Sequence, residues 1–251
     1  MKISTSILLI LLMLPVCFAQ VKSMRTGSVI VVIRTPDEIA VAADSKVLNT
    51  GGKAEQSCKL RLVNNTLFAV TGISSIKESG YDVFDIAAAA CKRGGPLGER
   101  VKYFESIITP ALVEQMELMR RVWPERWESK YRGTTAALCI VFVGVEAGRP
   151  VVYRRCFKPD GAEGITVEVE ATESAADGGG GIVFLLAGHA DAVAERLQSG
   201  GRVTADNLAL LAARFVQIQI DSGDEGVGGP VDSASVTKDG FKWGSRKPQC
   251  N

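Results

Sequence analysis

Histidine is nearly missing from this chain: His189 is the single one among 251 residues. With no Cys-x-x-Cys pair beside it, there are too few ligands for a zinc site. Basic blocks are missing as well, and the net charge is only +1, so nothing in the charge pattern points to nucleic acid. The one long apolar run near the N-terminus, Ile7 to Val16, stops short of the roughly 18–20 residues that span a bilayer. That argues against a stable membrane anchor. No repeat longer than a hairpin is found. Gly178–Gly181 is a glycine run, but no helix start or lysine follows it as in a phosphate-binding loop, so it reads as a turn. No metal and no organic cofactor is implied.

What is present suits one domain with a sizeable core: 46% of the residues are hydrophobic and 23% charged. At the N-terminus Lys2 precedes the apolar run, and Cys17-Phe18-Ala19 offers small residues at the two positions a signal peptidase reads. Residues 1–19 therefore read as a signal peptide, and the chain as exported to a periplasm or the exterior. Residues 20–27 are polar and without pattern, a lead segment or propeptide; residues 28–251 form the domain. Five cysteines remain after the leader: Cys58, Cys91, Cys139, Cys156 and Cys250. An odd count implies a free thiol or an intermolecular bond. Cys139, in the apolar run Ala136–Val145, reads as a core residue. The pairing stays open, with Cys156–Cys250 one option.

The strongest pattern lies between Gly27 and Gly72. Val29–Ile33 and Ile39–Ala43 flank Arg34-Thr-Pro-Asp-Glu38, strand formers on either side of a Pro-Asp turn. Such a hairpin brings Ser28 beside Asp44. Lys59 opens a second hairpin that turns at Asn64-Asn65 and ends at Gly72. Downstream, apolar spacing predicts a helix over Ser74–Lys92, closed by Gly94-Gly-Pro96, and another from about Glu99 to Val122 with a kink or break at Pro110. Trp123–Lys130 reads as a loop over the core edge. Strands follow at Thr134–Val145, Arg149–Lys158, Ile165–Thr172 and Ile182–Ala187. Two helices come next, Asp191–Gln198 and Thr204–Ile220, the latter capped by Thr204. A terminal hairpin turns at Lys238-Asp-Gly240. Strands alternating with helix pairs predict an α+β fold, two antiparallel sheets face to face with helices on both outer sides.

Gly27-Ser28, a β-branched strand, a turn, Ala-Val-Ala-Ala-Asp44-Ser45, then Lys59-Leu-Arg-Leu and a strand ending in Gly72 resemble the N-terminal half of proteasome-type N-terminal-nucleophile hydrolases. The resemblance implies a four-layer αββα sandwich and self-cleavage between Gly27 and Ser28. It places Ser28 at the nucleophile, where the family usually has threonine, Asp44 and Lys59 at its supporting pair, and Gly72 at the oxyanion position. It also implies a possible homo-oligomer. Freed as a first residue, Ser28 would carry its own base, an α-amino group of pKa about 7.7–8.0. Lys59 would supply positive charge, Asp44 would hold Lys59, and a Gly72 N–H could donate to an oxyanion. Those roles predict hydrolysis of peptide or amide bonds. The competing expectation is a catalytically inactive binding or assembly module of the same fold. His189 reads as a structural or exposed histidine, and Asp221-Ser-Gly223 as a partial echo of a family motif.

Overall fold

In the computed structural model the described residues are 24–25, 28–49, 53–131, 136–160, 166–174, 182–200 and 207–250. The expected leader, the Gly27 side of the 27–28 bond, Thr134, Ile165, the glycine run 178–181 and Thr204 lie outside them.

Fifteen strands and five α-helices are described. In chain order they are β1 (Met24–Arg25), β2 (Val29–Arg34), β3 (Glu38–Ala43), β4 (Lys46–Leu48), β5 (Ala54–Gln56), β6 (Leu60–Val63), β7 (Thr66–Gly72), β8 (Ser75–Ile76) and β9 (Tyr81–Asp82). Then come α1 (Val83–Cys91), α2 (Leu97–Val122), α3 (Pro124–Lys130), β10 (Leu138–Glu146), β11 (Arg149–Asp160), β12 (Thr166–Ser174) and β13 (Val183–Gly188). The last are α4 (Asp191–Gln198), α5 (Leu208–Asp221), β14 (Asp232–Thr237) and β15 (Gly240–Ser245).

Two five-stranded sheets dominate, in the orders β12-β11-β10-β7-β6 and β13-β2-β3-β14-β15, with every pairing antiparallel. The first hairpin forms as expected, with Ile30 opposite Ala43 and Arg34 opposite Ile39. The second turns on Asn64 and Asn65, both at positive φ. Asparagine tolerates that region, and a two-residue turn of this kind matches strand twist.

The β2 sequence is an unbroken apolar run because both of its faces are covered. Val29, Val31 and Ile33 join Leu208, Leu211, Ala212 and Phe215 of α5 in one apolar cluster. Ile30 and Val32 belong to a second cluster with Leu67, Ala69, Val141 and Val152 of the other sheet. A third cluster packs Phe68, Ile140, Phe142 and Phe157 against Phe104, Ile108, Leu112 and Met116 of α2.

Several expectations change in detail. Residues 74–82 are not helical: they form β8, a 3-10 turn and β9. The Asp82 carboxylate accepts from the N–H groups of Phe84 and Asp85, which fixes the helix start at Val83. The second helix is continuous through Pro110. One lost N–H there is outweighed by the apolar stripe on either side, which stays in register against the sheet. Trp123–Lys130 is not a loop, since Pro124 opens a short helix that buries Trp127. The cap of α5 is Asn207, whose side chain accepts from Leu210 N–H. The cysteines pair as Cys58–Cys250 and Cys139–Cys156. Cys139 is thus buried and bonded, because it lies directly opposite Cys156 in the β10–β11 ladder. Cys91 is the free thiol among the described residues, and burial pushes its pKa up to about 11.

Candidate active site

The first sheet pairing determines the site. With Ile30 opposite Ala43, the next residues outward, Val29 and Asp44, meet where β2 begins and β3 ends. Asp44 curls back so that its Oδ1 accepts from Val29 N–H at 3.0 Å. Its Oδ2 accepts from the N–H groups of Lys46 and Gly228, each at 3.1 Å. The same Oδ1 lies 2.8 Å from the Lys59 ammonium. Both partners are buried, Asp44 at 0% and Lys59 at 3% exposure.

Burying an ammonium disfavours its charge, while a carboxylate at contact favours it. For Lys59 burial is the larger effect, with Asp44 opposing it and Lys247 adding a repulsion, and the pKa falls to about 8. An amine that would otherwise titrate far above neutrality can therefore exchange its proton close to it.

Ser28 is buried, and among the described residues its Oγ has no hydrogen-bond partner. A buried hydroxyl without a partner costs free energy. Its carbonyl is held from two sides, by the His189 N–H at 2.9 Å and the Thr71 hydroxyl at 3.3 Å. Gly188 permits this approach. At φ +79°, a Cβ there would stand 2.2 Å from the Ser28 carbonyl oxygen.

Of the residues singled out in the sequence, Ser28, Asp44 and Lys59 are brought together through Val29. Gly72 lies one residue beyond Thr71 and so close by, at φ +96°. What presses on Gly72 is the chain itself: an added Cβ would meet the Ala137 carbonyl oxygen at 2.3 Å. The lack of a side chain there suits the close pairing of β7 with the start of β10.

Asp224 was not singled out in advance. It accepts from Gly226 N–H at 2.7 Å and from Gln219 at 3.3 Å, and its Oδ2 is 3.0 Å from His189 Nδ1. Donation by Gly226, the nearby histidine and Gln219 outweighs the opposing effect of burial and lowers its pKa. The histidine and the partial echo at Asp221-Ser-Gly223 were both visible in the sequence. Their connection was not, because the contact spans 35 positions.

Two five-stranded antiparallel sheets thus carry a buried Lys–Asp pair at the mouth of the first hairpin. A solved structure of an Anbu (Gly-1) mutant from Hyphomicrobium sp. strain MC1 is similar, with a TM-score of 0.54 and 14% identity. The match covers 88% of this chain and 86% of that chain. Anbu is a proteasome-like protein related to N-terminal-nucleophile hydrolases, and at that identity the likeness concerns the fold alone. No family model matches the chain, and no curated protein matches its sequence. This corrects the family reading of the Gly27–Gly72 stretch: the likeness is one of fold and does not extend to membership of the proteasome-type family. The physical reason is that a fold is set by where apolar and polar residues fall along the chain, so a likeness of fold at 14% identity carries no family-specific residues with it.

Two further features bear on where the protein works. Two disulfides accord with an extracellular location. Among the described residues no helix is long and apolar enough to cross a membrane.

Proposed function

We propose that this chain is a self-processing N-terminal-serine hydrolase that cuts peptide or amide bonds outside the cytoplasm, after loss of a signal peptide at residues 1–19. The observation that carries the reading is the unpartnered, buried Ser28 Oγ on the residue before Val29, whose N–H donates to Asp44 of the Lys59–Asp44 pair. A four-layer αββα arrangement belongs to the same proposal. Its support is the three apolar clusters, one shared by the two sheets and one between each sheet and its own helices.

The lead segment supplies further support. β1 pairs antiparallel with β8, Met24 opposite Ile76 and Arg25 opposite Ser75. Met24 and Arg25 are thus held as an edge strand against β8, the way an extended peptide adds to a sheet. In the first reaction Ser28 Oγ attacks the Gly27 carbonyl and the amide becomes an ester, freeing the Ser28 amine. Water then hydrolyses the ester and releases the lead segment as a carboxylate.

In later turnovers the freed amine takes the Oγ proton as Oγ attacks a substrate carbonyl. It returns that proton to the departing amine of the substrate, and water resolves the acyl ester. Lys59 in its charged form lowers the pKa of the amine and stabilises developing negative charge at Oγ. Asp44 fixes Lys59 and, through Val29 N–H, the start of β2.

The test is the intact mass and N-terminal sequence of the secreted protein, with Ser28→Ala alongside. The expected result is a start at Ser28 in the wild type and retention of residues 20–27 in Ser28→Ala. A wild-type chain that begins at Gln20 has no free amine at Ser28, and that outcome favours the inactive binding module instead.

A further inference from the structure

A second buried lysine–carboxylate pair lies beside the first, and the hydrolase mechanism leaves it unused. The Lys247 ammonium is 2.7 Å from Asp232 Oδ2, and the Lys247 backbone N–H donates to Asp232 Oδ1 at 2.9 Å. The two side chains are 4% and 2% exposed. Asp232 opens β14 directly opposite Ala43, the residue before Asp44.

Lys247 also donates from its ammonium to the Ser57 carbonyl at 3.0 Å. Ser57 is two residues from Lys59, in a stretch that belongs to no strand. The backbone of that stretch is tied on one side by Ser57 N–H to the Ser45 carbonyl at 2.8 Å. On the other side the C-terminal segment runs along it. The Gln249 amide donates to Gln56 Oε1 at 3.1 Å, and Cys250 is bonded to Cys58. The tail is therefore stapled immediately next to Lys59, and the staple delivers a second buried cation.

We propose that Lys247 is a positioning residue for Lys59, held by the Cys58-anchored tail: its ammonium grips the Ser57 carbonyl two residues before Lys59 and so fixes where the Lys59 amine sits. This rests on the hydrolase reading for its catalytic meaning, but not for its geometry. Among the described residues the charged groups acting on Lys59 are Asp44 at the end of β3 and Lys247 of the tail, with Asp232 of β14 holding Lys247. Asp44 favours the proton on Lys59 and Lys247 opposes it, in keeping with the fall to about 8. Catalysis that needs Lys59 charged would then lose activity as pH rises through that value, and Lys247 would set where the loss falls.

The experiment is a pH titration of the Lys59 side chain by NMR, on the mature protein with 13C-labelled lysine. Wild type is compared with Lys247→Met and Lys247→Arg, and the pH dependence of kcat is followed on one peptide substrate. In Lys247→Met the Lys59 midpoint and the alkaline limb of kcat should both move to higher pH, with KM little changed. In Lys247→Arg both should stay near their wild-type positions, because the charge is kept.

Should Lys247→Met fail to fold, leaving Asp232 buried and unpaired, Lys247→Met/Asp232→Asn takes its place. The asparagine oxygen still accepts the N–H of residue 247, and a smaller shift in the same direction is expected, because the Asp232 charge is removed along with that of Lys247. An unmoved Lys59 midpoint in the folded variant overturns the proposal while leaving the hydrolase intact. A moved midpoint with no hydrolysis in any form supports the action of Lys247 on Lys59 and overturns the hydrolase reading.

Discussion

Asp44 and Lys59 form one pair, yet they are not equally dispensable. The carboxylate has four partners: the Lys59 ammonium and the N–H groups of Val29, Lys46 and Gly228. Lys59→Met therefore leaves Asp44 with three backbone donors. We expect a stability loss under about 2 kcal/mol. Asp44→Ala removes the common acceptor, strands three N–H groups and leaves a buried cation without its carboxylate. The expected loss is about 3–5 kcal/mol. Urea unfolding of the two variants checks the order, and equal losses would mean that the backbone donors do not support Asp44.

Stability should also depend on pH through Lys59. Its pKa is about 8 when folded, against a reference of 10.5. Between those values the unfolded chain binds more protons, so this group's contribution rises with pH across the window. Below about pH 8 the folded protein carries the buried charge at its full cost. The difference in unfolding free energy between wild type and Lys59→Met should therefore shift in favour of wild type from pH 8 towards 10.5. A difference that stays flat over that range would show that the folded pKa is not lowered.

At the scale of elements, the site depends on how closely strand ends can meet. Gly188 ends β13 at φ +79°, with the Ser28 carbonyl and the Thr71 hydroxyl where its Cβ would be. Positive φ alone costs about 1–2 kcal/mol for a residue with a side chain, and the overlap with Ser28 forces the strands apart. Gly188→Ala should thus destabilise by more than about 2 kcal/mol and, in any folded fraction, stop the release of residues 20–27. Thermal unfolding together with intact mass measures both. A stable variant that still loses its lead segment would mean that β13 does not hold Ser28 in place.

The two hairpins that carry Ser28, Asp44 and Lys59 were legible in the sequence because each is local. Strand formers flank a Pro-Asp or Asn-Asn turn, and the register follows from the turn. The second helix was legible from its stripe, though not its passage through Pro110. The onset of α1 was misread because Ile76 and Tyr81 fit a helical period, while the cap on Asp82 settles the start at Val83. Contacts that close over long stretches of chain had no local signal. The His189–Asp224 pair and the bonding of Cys58 to Cys250 span 35 and 192 positions, which spacing along the chain does not encode.

For the molecule as a whole, the two disulfides do different work. Cys139 and Cys156 are 17 positions apart and already face each other across β10 and β11. Cys58 and Cys250 are 192 positions apart and join the tail to the segment before Lys59. In the chain-entropy account a crosslink restricts the unfolded ensemble roughly with the logarithm of the loop it closes, giving about 3 kcal/mol for the short loop and about 5 kcal/mol for the long one. Cys58→Ala/Cys250→Ala should therefore lower the unfolding free energy by about 2 kcal/mol more than Cys139→Ala/Cys156→Ala. The short bridge does lie in the core, where Cys139 and Cys156 are buried, so its removal adds a packing loss that narrows the gap. Urea unfolding of both double variants, under conditions that keep the remaining bridge oxidised, decides the matter. If the short bridge proves worth as much as the long one, the unfolded chain must already keep its tail near residue 58, or the tail must detach without unfolding the sheets. Proteolysis separates those cases: a tail that detaches alone is trimmed while the core stays intact, and a tail held in the unfolded chain is not.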